Sequence, residues 1–184
     1  MSHKVRIETE RLVLREIIGS DFEAIHEYAT DSKVFRFMSF GPNTPGETRT
    51  FISECDTHRM AIPRHQYHFA ITVKGDDSLI GVCGLNESDG NAEIGYVLNR
   101  ASWDRGYMTE AVHAVLEYGF STITLHRIYA FCDVNNSGSY HVMEKCGMRR
   151  EGRREEAVMM HGTWRTIYDY AILRREWLDM QADK

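Results

Sequence analysis

The chain has 184 residues, a length that suits one domain with a sizeable core. Its 42% hydrophobic and 27% charged residues are typical of a globular protein and exclude a disordered chain. The net charge of −5 argues against a nucleic-acid-binding protein, which usually carries a basic excess, and weakly favours a cationic partner.

Apolar runs and cysteines narrow the class further. No run of about 18 apolar residues occurs, so no membrane span is predicted. The N-terminal residues 1–6 lack the apolar core of a signal peptide, which favours a cytoplasmic location. The four cysteines show no Cys-x-x-Cys spacing, and we expect buried, reduced thiols at Cys55, Cys83, Cys132 and Cys146.

The first third of the chain predicts a strand and two helices. Residues alternate between polar and apolar from Arg11 to Arg15, as in a half-buried strand. A helix should follow, with Ser20 as its N-cap and Glu23 completing a capping box. A second helix should begin at residues 44–47, where a proline occupies the first helical position.

The remaining elements alternate between strands and helices. Three strands joined by short glycine turns predict an antiparallel meander over Tyr67–Val73, Leu79–Leu85 and Ala92–Leu98. A helix is expected over Thr109–Phe120, followed by a strand over Arg127–Asp133 and a helix from Ser137 to Cys146 that ends at Gly147. A hairpin of Ala157–Met160 with Thr166–Leu173 should follow. This order predicts an α/β fold of mixed strand direction, with the last two helices as crossovers.

The segment from Leu98 to Ala111 is the most informative of the chain. A strand leads into a short loop that opens a helix at Gly106. Free backbone N–H groups at a helix N-terminus bind phosphate, a glycine permits close approach, and Arg105 can add a charged contact. Taken alone, the pattern leaves an ordinary helix start as an open alternative.

Three ordered motifs carry a resemblance to a known family. Residues 103–111, Trp-Asp-Arg-Gly-Tyr-Met-Thr-Glu-Ala, resemble the acetyl-CoA-binding segment of the GNAT superfamily of N-acetyltransferases, especially its ribosomal-protein N-terminal (RimJ/RimL-type) branch. Residues 9–15 resemble the opening strand of that family, and residues 136–148 resemble its Asn-x-x-Ser helix. Two positions depart from the pattern: Asp104 replaces a common glycine and brings an anion near the phosphates, and Met108 replaces a small residue that would crowd them less.

The resemblance implies a fold and a cosubstrate. The fold is a GNAT-type mixed, mostly antiparallel central sheet flanked by helices on both faces, with residues 1–184 as one acetyltransferase domain. The cosubstrate is acetyl-CoA, and no metal is implied. The resemblance places the pyrophosphate on the backbone of Arg105, Gly106, Tyr107, Met108 and Thr109, and the pantetheine arm on Val97, Leu98 and Asn136. An amide of a strand that splays from its neighbour, often at a bulge, should polarise the acetyl oxygen.

Acetyl transfer to an amine needs a base for the ammonium and an acid for the leaving thiolate. The resemblance makes Glu93 the candidate base, with a solvated strand glutamate or an already neutral amine as the alternatives. For the acid, Ser139 competes with Tyr140. Adjacent helix positions point in different directions, so only one of them should face the thiol, and we favour Ser139.

The acceptor is less constrained than the reaction. We rank a protein or peptide N-terminal amine first, and a small amine such as a polyamine, an amino acid or an aminoglycoside second. A non-catalytic acyl-CoA-binding module remains as a third hypothesis. The acceptor pocket should come from the helix pair before Pro63 and the last hairpin. The chain could be a monomer or a homodimer, and a metal site at His65 and His68 lacks supporting ligands.

Overall fold

The computed structural model describes residues 4–182. Residues 1–3, part of the N-terminal segment expected to lack the apolar core of a signal peptide, lie outside the described range. Eight strands form one sheet: β1 (Arg6–Glu8), β2 (Leu12–Glu16), β3 (Gln66–Val73), β4 (Leu79–Ser88), β5 (Asn91–Leu98), β6 (Arg127–Asp133), β7 (Arg149–Met160) and β8 (Thr163–Leu173). Six α-helices accompany them: α1 (Phe22–Thr30), α2 (Ser32–Phe35), α3 (Pro45–Met60), α4 (Tyr107–Tyr118), α5 (Ser137–Lys145) and α6 (Arg174–Ala182).

The sheet runs in the order β1-β2-β3-β4-β5-β6-β8-β7. Strands β2 to β5 form the predicted antiparallel meander, and the β4–β5 turn is tight because Asp89 and Gly90 both take positive φ, 52° and 77°. Strands β5 and β6 pair in parallel, with α4 as the predicted crossover between them. Every other strand pair of the described residues is antiparallel, which confirms the mixed, mostly antiparallel sheet.

Helices cover both faces of the sheet. Alternate residues of β3 enter different cores, since Phe69 and Ile71 pack with α4 and α5, while Ala70 packs with α1 and α3. Helix α6 adds Trp177 to the first core. We call the two sides the α4/α5 face and the α1/α3 face. The sheet thus separates the core on the α4/α5 face from the core on the α1/α3 face.

Some predicted boundaries are confirmed and one cap is wrong. The expected start of α3 is confirmed, with Thr44 as N-cap and a proline in the first turn, and Thr44 also forms a capping box with Glu47. Ser20, however, does not cap α1, because a short 3-10 turn over Gly19–Asp21 precedes the helix and puts Asp21 at its N-cap. The Asp21 carboxylate is held by the Arg15 guanidinium through two contacts of 2.8 Å, an ion pair that the local pattern did not reveal.

The C-terminal hairpin is longer than the sequence indicates. Strand β7 begins at Arg149, and its register shifts twice against β8. The hairpin tip returns to the N-terminal half, where His161 Nε2 lies 3.2 Å from the Phe35 carbonyl oxygen. The four cysteines are buried free thiols, as expected. Within residues 4–182, no helix combines the length and the apolar character needed to cross a bilayer.

Candidate active site

A gap opens in the sheet between β5 and β6. The two strands pair over three positions, ending at Glu93 opposite Tyr129, and then diverge. Strand β5 stays paired with β4 as far as Leu98, without a register shift. The splay expected for this strand is therefore present, but no bulge produces it. The edge of β5 from residue 94 onward is left free of β6, which suits the binding of an extended ligand by its backbone.

Strand alternation decides which backbone groups face this gap. Asn99 N donates to Ile80 O over 2.8 Å, so the backbone groups of every second residue, including Val97, point to β4. The Val97 carbonyl oxygen accordingly lies where a Cβ on Gly81 would collide with it. This orientation does not favour the predicted contact between the Val97 backbone and the pantetheine arm.

Leu98 has the opposite orientation and faces the gap. Its carbonyl oxygen is already bonded, because Trp103 Nε1 donates to it over 2.9 Å. Alternation directs the Leu98 N–H toward the same side, past the end of the β5–β6 pairing. This amide is therefore a donor suited to a carbonyl oxygen of a ligand that lies along the strand edge.

The loop before α4 forms an open anion site. Gly106, the N-cap of α4, has φ +76°, and no side chain caps this helix end. The backbone N–H groups of the first turn of α4 have no intrahelical acceptor, which suits the binding of a phosphate. Asp104 also takes a left-handed conformation, φ +58°, which explains why glycine is common at this position of the family. The Met108 side chain is buried in the α4/α5 core, so the expectation that it crowds the pyrophosphate is wrong.

Two of the family motifs support each other at this loop. The Glu110 carboxylate accepts from the Thr9 hydroxyl at 2.6 Å and from the Arg11 side chain at 2.7 Å. Arg11 also donates to the Arg105 carbonyl oxygen at 3.0 Å. Sequence analysis missed this connection, although both motifs contain its residues. The connection fixes the loop before α4 to the start of β2.

The N-terminus of α5 places Ser139 against Tyr96 of β5 at the gap. Asn136 caps the helix, with its Oδ1 accepting from Ser139 N at 3.3 Å. The Ser139 hydroxyl lies 3.1 Å from the hydroxyl of Tyr96 on β5. The Tyr140 ring instead packs against Tyr168, with a centroid distance of 6.0 Å. This geometry favours Ser139 as the acid.

Glu93 lies where the gap meets a large cavity on the α1/α3 face. Burial raises the pKa of its carboxyl group. The cavity measures about 730 Å³ and is bounded by α1, α3, the loop over residues 38–43 and His161 at the hairpin tip. Its floor includes Gly84 and Gly95, which pair across β4 and β5, and a Cβ added to Gly95 would meet no atom within 4 Å.

The charge of this cavity has one sign. Glu47, Glu54 and Glu93 contribute to its wall, and none of the described residues that line it is Lys or Arg. His68, also in the wall, stays neutral because burial lowers its pKa to about 4. A cation should therefore be favoured inside the cavity.

The histidines named in the sequence make other contacts. His65 contacts Glu87, and the His68 ring stacks on His58 at 5.4 Å. Over the described range 4–182, no group of three or more His, Cys, Asp or Glu side chains is arranged to hold a metal ion.

The uncapped amides before α4 and the gap beside β5 fit the pyrophosphate and the extended arm of coenzyme A. Residues 11–149 match the family model described as "Acetyltransferase (GNAT) domain". The chain belongs to the GNAT family. It is 36% identical over 175 residues to the uncharacterized N-acetyltransferase YnaD of Bacillus subtilis, covering 94% of this chain and 99% of YnaD. The GNAT-family acetyltransferase structure from Bacillus anthracis superposes with a TM-score of 0.83 at 36% identity, covering 93% and 99% of the two chains.

More distant structures share the fold and contain coenzyme A. One is the spermidine N-acetyltransferase of Vibrio cholerae in complex with CoA and spermine, with a TM-score of 0.80 at 22% identity over 92% of this chain and 99% of that one. Another is RimL, a ribosomal L7/L12 α-N-protein acetyltransferase in complex with CoA, with a TM-score of 0.81 at 20% identity over 92% and 98%. The chain is an acyltransferase of the GNAT type, and acetyl-CoA is the cosubstrate that this family membership supports.

Proposed function

We propose that this chain transfers the acetyl group of acetyl-CoA to a cationic primary amine held in the cavity on the α1/α3 face. The observation that carries the proposal is the position of Glu93. Its carboxylate is one of three that line the cavity, and none of the described lining residues is Lys or Arg. It is also the last residue of β5 that pairs with β6 before the gap opens. The amine would therefore approach the thioester from the other side of β5.

In this proposal, backbone groups on one side of β5 bind the cosubstrate, and side chains on the other side bind the amine. The amides from Arg105 to Thr109 hold the pyrophosphate, aided by the positive end of the α4 dipole. Beside Asn136, the pantetheine arm lies along the free edge of β5, where the Leu98 N–H donates to a carbonyl oxygen of the arm. The carboxylates of the cavity hold the ammonium until it loses its proton.

Glu93 receives that proton, directly or through one water molecule. Burial raises its pKa, and a raised pKa makes a carboxylate a stronger base than an exposed glutamate. The neutral amine then attacks the thioester carbon. Ser139 donates its hydroxyl proton to the departing sulfur, because its side chain lies at the gap while the Tyr140 ring is packed against Tyr168.

The acceptor that we rank first is a protein or peptide N-terminal amine. The motifs at residues 103–111 and 136–148 resemble those of the ribosomal-protein branch, and a flexible terminus could enter beside the hairpin tip at His161. A polyamine is the second candidate, favoured by the outer carboxylates of Glu47 and Glu54, which suit a further positive charge. The RimL and spermidine acetyltransferase structures are too distant to rank the two. We also infer that residues 1–184 act as one acetyltransferase domain.

Thiol release from acetyl-CoA tests the proposal and separates the acceptors. A panel should contain peptides with free N-termini, the same peptides acetylated at the N-terminus, and spermidine. We expect release with the free peptides, and none with the blocked ones that lack lysine. Release with spermidine alone would move the acceptor to the polyamine class. Binding of acetyl-CoA without release for any amine would support a non-catalytic acyl-CoA-binding module instead.

A further inference from the structure

Tyr96 is a partly buried tyrosine to which the proposed reaction assigns no role. It lies on β5 three residues after Glu93, beyond the point where β5 leaves β6, and it packs against the α4/α5 core. Its hydroxyl reaches the first turn of α5, 3.0 Å from the Ser139 carbonyl oxygen and 3.1 Å from the Ser139 Oγ. One side chain thus connects the free edge of β5 to the candidate acid across the gap.

The protons of this pair can be assigned from their donors. The phenol has a single proton, which it donates to the Ser139 carbonyl oxygen, and the Ser139 hydroxyl can then donate to the phenol oxygen. Burial raises the pKa of Tyr96 well above its ordinary value, so the phenol keeps its proton at working pH. Tyr96 therefore acts as a hydrogen-bond partner and not as a base.

We propose that Tyr96 is a positioning residue that holds the Ser139 hydroxyl toward the gap and stabilises its oxygen while the Ser139 proton moves to the leaving sulfur. The inference rests on the proposed role of Ser139. When the C–S bond breaks, its electron pair stays on sulfur, and the Ser139 proton turns from the Tyr96 oxygen to the sulfur. The Tyr96 O–H turns from the carbonyl to Ser139 Oγ and keeps its proton. Ser139 is reprotonated through water by the second proton of the attacking nitrogen, while Glu93 holds the first.

A buried tyrosine on the opposite side of α5 provides a matched control. The Tyr170 hydroxyl donates to Glu144 of α5 at 2.7 Å, and its side chain is also in the α4/α5 core. Tyr170→Phe therefore removes a phenol hydroxyl that contacts the same helix, but at a site away from Ser139. A purely structural role for Tyr96 predicts similar effects of the two substitutions.

The test is a double-mutant cycle of Tyr96→Phe and Ser139→Ala. Each single variant should lower kcat about tenfold or more, with the KM for acetyl-CoA little changed. This loss is smaller than the usual one for acid–base groups, because a thiolate needs only modest help to leave. The double variant should be no slower than Ser139→Ala alone, since both changes remove one function. Tyr170→Phe should retain the wild-type kcat.

A second readout does not depend on activity. In thermal unfolding without acetyl-CoA, the Tm shift of the double variant should be smaller than the two single shifts added together, because both substitutions remove the hydrogen bond between the two hydroxyl groups. A normal kcat for Tyr96→Phe, or an equal loss in the Ser139→Ala background, would overturn the inference and leave the proposed function standing. A normal kcat for Ser139→Ala would overturn the role of Ser139 together with the inference, although acetyl transfer itself would persist.

Discussion

The two sides of β5 offer different chemical groups to their ligands. The side toward α4 offers backbone: uncapped amides after Gly106 and the Leu98 N–H beside the gap. The side toward α1 and α3 offers side chains: three carboxylates around a floor that includes Gly95. A backbone site suits the one ligand that all reactions of a family share, since it tolerates change in most side chains. A side-chain site can be altered residue by residue, which suits a variable acceptor.

The largest expected effect lies where the two sides meet. Glu93→Gln should lower turnover about a hundredfold or more, the ordinary scale for a lost general base. The KM for acetyl-CoA should stay near its wild-type value, because Glu93 lines the acceptor cavity. Steady-state kinetics with a saturating amine would measure both constants. Unchanged turnover would assign the proton to water or to another group.

The pH profile sharpens the same prediction. Glu93 accepts a proton only when ionised, and burial raises its pKa above the usual range for glutamate. The wild-type rate should therefore fall as the pH decreases through that raised pKa, and Glu93→Gln should remove this acidic limb. A limb that persists in the variant would belong to a different group.

The next effect should be confined to the acceptor side. Gly95→Val adds a side chain above the cavity floor, where a Cβ would meet no atom within 4 Å. The protein should fold normally because the space is open. The KM for the amine should rise by about tenfold or more, since one extra or missing methylene in a substrate pocket changes the binding free energy by about 1–3 kcal/mol. Calorimetry should show unchanged acetyl-CoA affinity, and a loss of that affinity would contradict the separation of the two sides.

Gly106→Ala is the counterpart on the cofactor side. The glycine has φ +76°, a conformation that costs an L-residue about 1–2 kcal/mol, so acetyl-CoA should bind about tenfold more weakly. The KM for the amine should be unaffected. Gly19→Ala is a matched control, because Gly19 has no positive φ and a Cβ there would meet no atom within 4 Å. An equal loss in both glycine variants would point to general destabilisation.

The smallest effect concerns the departure from the family pattern at Asp104. Asp104→Asn removes an anion near the phosphate loop and keeps a residue type that tolerates φ +58°. Acetyl-CoA should bind about two- to threefold more tightly at low salt, with the gain lost at high salt as the charge is screened. Tighter binding that persists in high salt would argue against the electrostatic explanation.

The sequence revealed the backbone side better than the side-chain side. Gly106 and Asn136 act within a few residues of their own helices, and local patterns show such features directly. The cavity instead combines residues from Ile25 to His161, which only the tertiary fold brings together. The expected contribution of the first helices and the last hairpin to this region matches its lining, but its carboxylates and glycine floor were not predicted.

The gaps in the prediction of the site have the same origin. Val97 and Leu98 are neighbours in sequence, and only the β4–β5 register shows that Val97 points its carbonyl away from the gap. Tyr96 reads as an ordinary strand aromatic until α5 is placed over it. The Arg11–Glu110 ion pair joins residues about a hundred positions apart, beyond the reach of any local pattern.

Calorimetric titration of acetyl-CoA into the wild-type protein tests the central claim most directly. The account places the cosubstrate on the amides that follow Gly106 and along the free edge of β5. It therefore predicts saturable one-to-one binding, with a rise in Tm at saturating ligand. The absence of binding at millimolar acetyl-CoA would contradict the proposed site and the mechanism built on it.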